Sequence, residues 1–245
     1  MMRKTYLALL IVALLVAMTA ALATAQEPAM VSVGHGIPGA DVGPTADPAL
    51  PVDVVVDGAC FLQDFKFGEF VGPVELPAGD YEVAVALSDG DPDTCVNEPV
   101  IGPVLLTFAA GDNATIFAHL TDAGGLTASV FDNDVSDIVA GHGRVTVRHT
   151  AWAPEVDIDL NRGWYRGRLI AGIEDLENPE QAGPLDVRPG AYAVSIFPAE
   201  SDEAVFQLHP FVTRPHKSQI VYAVGSLTNE TFTLIVQMLD LGITP

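Results

Sequence analysis

Pro51-Val-Asp-Val-Val-Val-Asp57-Gly58 and, about a hundred residues later, Glu155-Val-Asp-Ile-Asp-Leu-Asn161 read as the same strand written twice. In the first stretch Val52, Val54 and Val56 fall on one face, with Asp53 and Asp57 on the other. In the second, Val156, Ile158 and Leu160 alternate with Asp157, Asp159 and Asn161. A period of two with one apolar and one polar face is a β-strand that is wet on one side. The same alternation continues in Tyr81, Val83, Val85 and Leu87 against Asp80 and Glu82. Asp57-Gly58, Pro77-Ala-Gly79, Ala110-Gly111-Asp112 and Gly124-Gly125 punctuate the runs as turns. Beyond the first 25 residues no helical period of convincing length occurs. About seven short strands per 100 residues predicts an all-β chain of immunoglobulin-like antiparallel sandwiches.

The repetition extends well past that strand. Val31-Ser-Val33-Gly-His35 returns as Val145-Thr-Val147-Arg-His149, and Leu76-Pro-Ala-Gly79-Asp-Tyr81-Glu-Val83 as Val187-Arg-Pro-Gly190-Ala-Tyr192-Ala-Val194. Thr115-Ile-Phe-Ala-His-Leu120 matches Gln219-Ile-Val-Tyr-Ala-Val224. The order is kept and the offset is nearly constant, so the expected plan is two tandem domains, 26–137 and 138–245. They would be joined through the polar stretch between Asp132 and Gly143.

Arg3 and Lys4 precede an apolar run from Leu7 to Ala23, and Ala23-Thr24-Ala25 has the small residues of a cleavage site. Residues 1–25 therefore read as a secretory signal peptide, which predicts a secreted or cell-envelope protein with no membrane insertion after cleavage. The chain carries 32 acidic and 11 basic residues, a net charge of −21. That field argues against nucleic acid and anionic lipid as partners and for cations or basic groups, or a saline habitat. Cys60 and Cys95, the two cysteines of the chain, read as one disulfide in an exported protein, with free thiols or an intermolecular bridge as alternatives.

The Val-x-Val-x-His start, the Pro-x-Val-Asp-Val strand and its Asp-Gly turn, Phe67-Gly68-Glu69 and Pro-Ala-Gly-x-Tyr-x-Val together resemble the family called domain of unknown function 4397. The resemblance is closer in the first half. In the second, Asp-Gly becomes Asn161-Arg-Gly163 and Phe-Gly-Glu is lost, and the first half carries an insertion from Asp41 to Leu50. It implies exported bacterial proteins with sandwich domains, often in tandem, and no catalytic residue.

Chemistry-bearing motifs are sparse. His35 and His149 extend the apolar faces of their strands and read as hydrogen-bonded, semi-buried structural residues; a ligand or base role lacks a partner at fixed spacing. Tyr81 and Tyr192, each two residues after a turn glycine, fit the corner at which a tyrosine hydroxyl bonds upstream backbone. His209 and His216 have no zinc spacing, and neither a serine-hydrolase elbow nor a phosphate loop is present. Asp89-Gly-Asp91-Pro-Asp93 is the best calcium-like string, although the calcium-loop glycine and closing glutamate are missing. Asn113 and Asn229 stand in glycosylation sequons.

One basic residue, Lys66, faces 19 acidic ones between 26 and 141; from 142 onward there are eight basic residues against 13, five of the eight being Arg144, Arg148, Arg162, Arg166 and Arg168. Arg162, Arg166 and Arg168 flank Trp164-Tyr165, the composition of a binding platform. The alternative is that Trp164 packs into its own domain or the domain boundary. The leading expectation is an exported binding or structural module, its partner a protein (an acidic one, or a second copy) or a cell-wall polysaccharide. A calcium-dependent adhesion protein and an enzyme of unknown class stand behind it.

Overall fold

A computed structural model describes residues 26–91 and 94–244. The expected signal peptide (1–25) and Asp93 lie outside the described residues.

The chain forms two β-sandwiches. The first contains β1 (Ala29–His35), a single helical turn (Gly39–Val42), β2 (Val52–Val56), β3 (Ala59–Phe65), β4 (Phe70–Leu76), β5 (Gly79–Leu87), β6 (Pro99–Phe108), β7 (Asn113–Leu120) and β8 (Leu126–Asp132). After β9 (Ile138–Val139) the second sandwich repeats the plan with β10 (Gly143–His149), β11 (Val156–Arg162), β12 (Arg168–Leu176), β13 (Gln181–Val187), β14 (Gly190–Pro198), β15 (Phe206–Thr213), β16 (Lys217–Val224) and β17 (Thr233–Asp240). The last strand, β18 (Ile243–Thr244), pairs in parallel with β9.

Each sandwich stacks two four-stranded sheets. The orders are β4-β1-β7-β8 over β3-β2-β5-β6, and β13-β10-β16-β17 over β12-β11-β14-β15. The architecture is the sandwich read from the sequence, with its own strand order. The first strand lies between the fourth and seventh and runs parallel to the seventh, as in Val33 beside Ile116 and Val147 beside Val221. A bulge breaks β1 between Val31 and Val33 and β10 between Val145 and Val147. Gly72 and Gly183 sit against them with φ of 109° and 103°. A Cβ at either would come within 3 Å of a bulge carbonyl, so glycine is required by close approach as well as by φ.

The valine faces recognised in the sequence build both cores. Val33, Val52, Val54, Val83 and Val85 close the first, and Val145, Ile158, Leu160, Val194 and Ile196 the second. A third apolar cluster belongs to neither. Phe117 and Phe131 of β7 and β8 pack against Ile220, Tyr222, Val224 and Leu239 of β16 and β17, with Phe67, Phe70 and Ile235 around them. The sheets β4-β1-β7-β8 and β13-β10-β16-β17 thus face each other, and each is covered on both sides. That is why β7 and β16 are almost wholly buried while β2 and β11 keep a polar face.

The stretch read as a polar linker is held in place. Asn133 is buried, bonding Asn113 and Thr115, and Arg144 takes Asp134 and Ser136 while pairing with Asp186.

Candidate functional site

The repeated motif residues tie strands together. His35 Nδ1 accepts the Ile37 N–H at 3.2 Å and Nε2 donates to the Leu50 carbonyl at 2.9 Å. His149 does the same with Ala151 N–H and the Pro154 carbonyl, at 3.3 and 2.9 Å. Each ring therefore joins the end of its first strand to the chain just before the second, across a long connection in one sandwich and a short one in the other. Both are fully buried, and burial lowers both pKa values. Neither ring presents a free nitrogen to a substrate.

The tyrosine hydroxyls donate to carbonyls four residues upstream, Tyr81 to Pro77 at 2.7 Å and Tyr192 to Arg188 at 2.6 Å. Asp53 and Asp157, the acidic residues of the repeated strand, accept the backbone N–H of Asp64 and Asp175 on the neighbouring strand. Both partners have positive φ, 51° and 53°, at a break in register. The Val-Asp motif is thus a bulge clamp. Glu180, missed in the sequence, takes the place of Glu69: both carboxylates accept a backbone N–H three residues upstream.

Cys60 and Cys95 form a disulfide that pins the β5–β6 connection to β3. In that connection Asp89 spends its carboxylate locally, accepting Asp91 N–H on one oxygen and the Thr94 hydroxyl on the other. The same bonds, that to Asp91 foremost, lower its pKa. Among the described residues no three His, Cys, Asp or Glu side chains converge as a metal site. Asn113 and Asn229, the sequon asparagines, are engaged with Asn133 and Asp41.

The Arg-Trp segment becomes the tip of the β11–β12 hairpin. Arg162 and Arg168 pair at its base, Gly163 turns the chain with φ 82°, and Gly167 N–H closes onto the Trp164 carbonyl. Trp164 is 70% exposed, so it packs into neither its own core nor the boundary. Its indole stacks on His209 of β15 at 4.2 Å and 22°, and the Tyr165 ring meets the same imidazole edge-on at 5.9 Å. Arg162 lies 5.9 Å above the Tyr192 ring. Arg162, Arg166 and Arg168 are all exposed. The tip belongs to the β12-β11-β14-β15 sheet, whereas the residues packed against the first sandwich come from β16 and β17 of the other sheet.

That contact relies on Arg148, which the sequence reading grouped with the other arginines. It is fully buried. Its guanidinium donates to Gln181, to the Tyr222 hydroxyl at 2.6 Å, and across the boundary to the Asp132 carbonyl and Asn133 at 2.8 and 3.0 Å. It also lies 4.5 Å above the Phe131 ring. Tyr222 stacks on Phe117 at 4.1 Å, and its hydroxyl donates to Gln237, which in turn accepts from Thr115 of the first sandwich. At the place corresponding to Arg148 the first sandwich has Gly34, where a Cβ would meet Phe70 and Phe117 at 2.6 Å. Trp152 from the second sandwich covers Gly124 of the first, and Asn178 bridges the Leu120 and Ala151 carbonyls.

Two sandwiches joined through a buried polar and aromatic contact, with their repeated histidines sealed, define an all-β double-sandwich module. Residues 29–159 match the family model described as "Domain of unknown function (DUF4397)", and the chain belongs to that family. The match covers the first sandwich and runs through β10 into β11. No curated protein matches. Among solved structures, a candidate cell adhesion protein from Bacteroides ovatus ATCC 8483 is 10% identical, covering 90% of this chain and 100% of its own, at a TM-score of 0.24. The Bacillus anthracis TIE protein is 10% identical over 81% of this chain and 33% of its own, at 0.22. The fimbrial anchor protein Mfa2 from Porphyromonas gingivalis is 9% identical over 87% of this chain and 98% of its own, at 0.21.

Proposed function

We propose that this chain is an exported binding module of the cell envelope that engages an acidic partner through the tip of the β11–β12 hairpin. The supporting observation is the exposed Trp164–His209 stack with Tyr165 beside it and three exposed arginines around it, on a chain of net charge −21. An exposed indole that is already stacked and oriented loses little freedom on binding, and arginines at its rim select anionic groups. Carboxylate-rich wall polymers and acidic protein surfaces both fit, including the first sandwich of a second copy.

The test is pelleting of the purified protein with envelopes of the organism that makes it, at low and high salt. Saturable pelleting that weakens with salt, and that is lost in Trp164→Ala and in the triple variant Arg162→Ser/Arg166→Ser/Arg168→Ser, supports this reading. Pelleting that both variants retain overturns the assignment of the face. If none of the proteins pellets, sedimentation velocity of the protein by itself is read for self-association that the same variants abolish.

A further inference from the structure

Each sandwich encloses a cavity between its sheets, of about 130 Å³ in the first and about 190 Å³ in the second. The walls correspond strand for strand. Val54 beside Val85 and Val56 beside Val83 line the first; Ile158 beside Ile196 and Leu160 beside Val194 line the second. Three of those four positions carry a larger side chain in the second sandwich, yet its cavity is also the larger. The added methyl groups at these positions have not closed the space. A space that persists through such changes is a shared property of the two sandwiches.

The chemistry of the walls restricts the occupant. The polar side chains lining the first cavity are His35 and Tyr81, and their hydrogen bonds are already committed to Leu50, Ile37 and Pro77. The side chains around the second are hydrocarbon throughout. A ligand bearing a charge or hydroxyl would give up its water for nothing, whereas an apolar cavity of about 150 Å³ stays dry and admits benzene or xenon. Access to the first cavity does not require unfolding. Its lining residues Val104 on β6, Val130 on β8 and Phe61 on β3 are 44%, 42% and 39% exposed, and β6, β8 and β3 are edge strands, so rotation of side chains opens a route.

We propose that the interior of each sandwich is a binding site for one small, uncharged, apolar molecule of about six non-hydrogen atoms, an aromatic ring or a compact branched hydrocarbon. This site is separate from the hairpin tip and does not depend on the reading given to it. The test uses the full chain with labelled Val, Leu and Ile methyl groups, titrated with benzene as the probe. Saturable shifts are expected at Val54 and Val85 and, separately, at Ile158 and Ile196, while Ile220 and Leu239 at the contact between sandwiches stay in place. Val54→Phe fills the first cavity and weakens the first set about tenfold or more, leaving the second unchanged. Should that variant not fold, Val85→Met replaces it with the same expectation. Absence of saturable shifts up to the solubility of benzene, equal shifts at surface methyls, or a first set unmoved by the filling substitution overturns the proposal.

Discussion

His119 stands in an environment that disfavours its charged form. It is fully buried on β7, its Nδ1 donating to the Leu120 carbonyl and its Nε2 accepting from Ser129, both at 2.8 Å. Burial first, and the nearby His149 as a further cause, lower its pKa from 6.5 to about 4. The unfolded chain takes up this proton near pH 6.5 and the folded chain near 4, so the unfolded state binds more protons between them. Stability is therefore full above pH 6.5 and declines as the pH falls toward 4, by about 3 kcal/mol from this ring. His35 and His149 are lowered in the same direction and add to the slope. Urea midpoints at pH 7.5, 6 and 5 should fall in that order, and His119→Gln should flatten the trend; a midpoint independent of pH would contradict the burial. At the same scale, Tyr192→Phe removes the bond to the Arg188 carbonyl and should cost about 1 kcal/mol in a denaturant melt. Tyr81→Phe should cost less, because Tyr81 is half-buried and water can reach the Pro77 carbonyl more easily. These tyrosines and the histidine at each strand end were visible beforehand from spacing. His119 was not, because its counterpart is Ala223 in the sequence match and Val224 by strand register, which is offset from that match by one residue, and a histidine without a repeat gives no positional signal.

At the scale of strands and connections, two devices hold the geometry. The disulfide closes a connection with a sequence separation of 35; its removal in Cys60→Ser/Cys95→Ser should cost about 3 kcal/mol in the chain-entropy account. The loss should appear as earlier hydrogen exchange in β3 and β6, whereas exchange unchanged there would mean that the connection holds without its bridge. The bulge clamp is the second device. Asp157→Ala leaves the Asp175 N–H without its acceptor and should cost about 1 kcal/mol, read as a lower melting temperature. Asp53→Ala should cost at least as much in the first sandwich, since Asp53 is buried. That Asp53 and Asp157 repeat was legible; that they serve a bulge was not. Simple alternation assigns an aspartate on the polar face to water, and only the neighbouring strand shows the N–H that it caps.

Across the whole molecule, the contact between sandwiches decides whether the chain behaves as one body or two. Arg148 donates to four oxygens there, two of them on the first sandwich, and its cationic head lies between Phe131 and Tyr222. Arg148→Met keeps much of the volume and leaves those oxygens without a donor, which should cost about 3 kcal/mol. Calorimetry should then resolve two transitions, against one expected for the native chain; a single unshifted transition would mean that the contact does not couple the sandwiches. The sequence by itself determined the strands, the repeated order of motifs and the valine faces of each core, because all of these follow from alternation and turn chemistry within a few residues. Tertiary structure decided the rest. It chose which of the five arginines first singled out are buried and which are exposed, turned Trp164 outward, and covered the second face of β7 and β16. Phe117, Tyr222 and Arg148 lie on faces whose cover comes from strands about a hundred residues away, and a period of two cannot report what lies across from it.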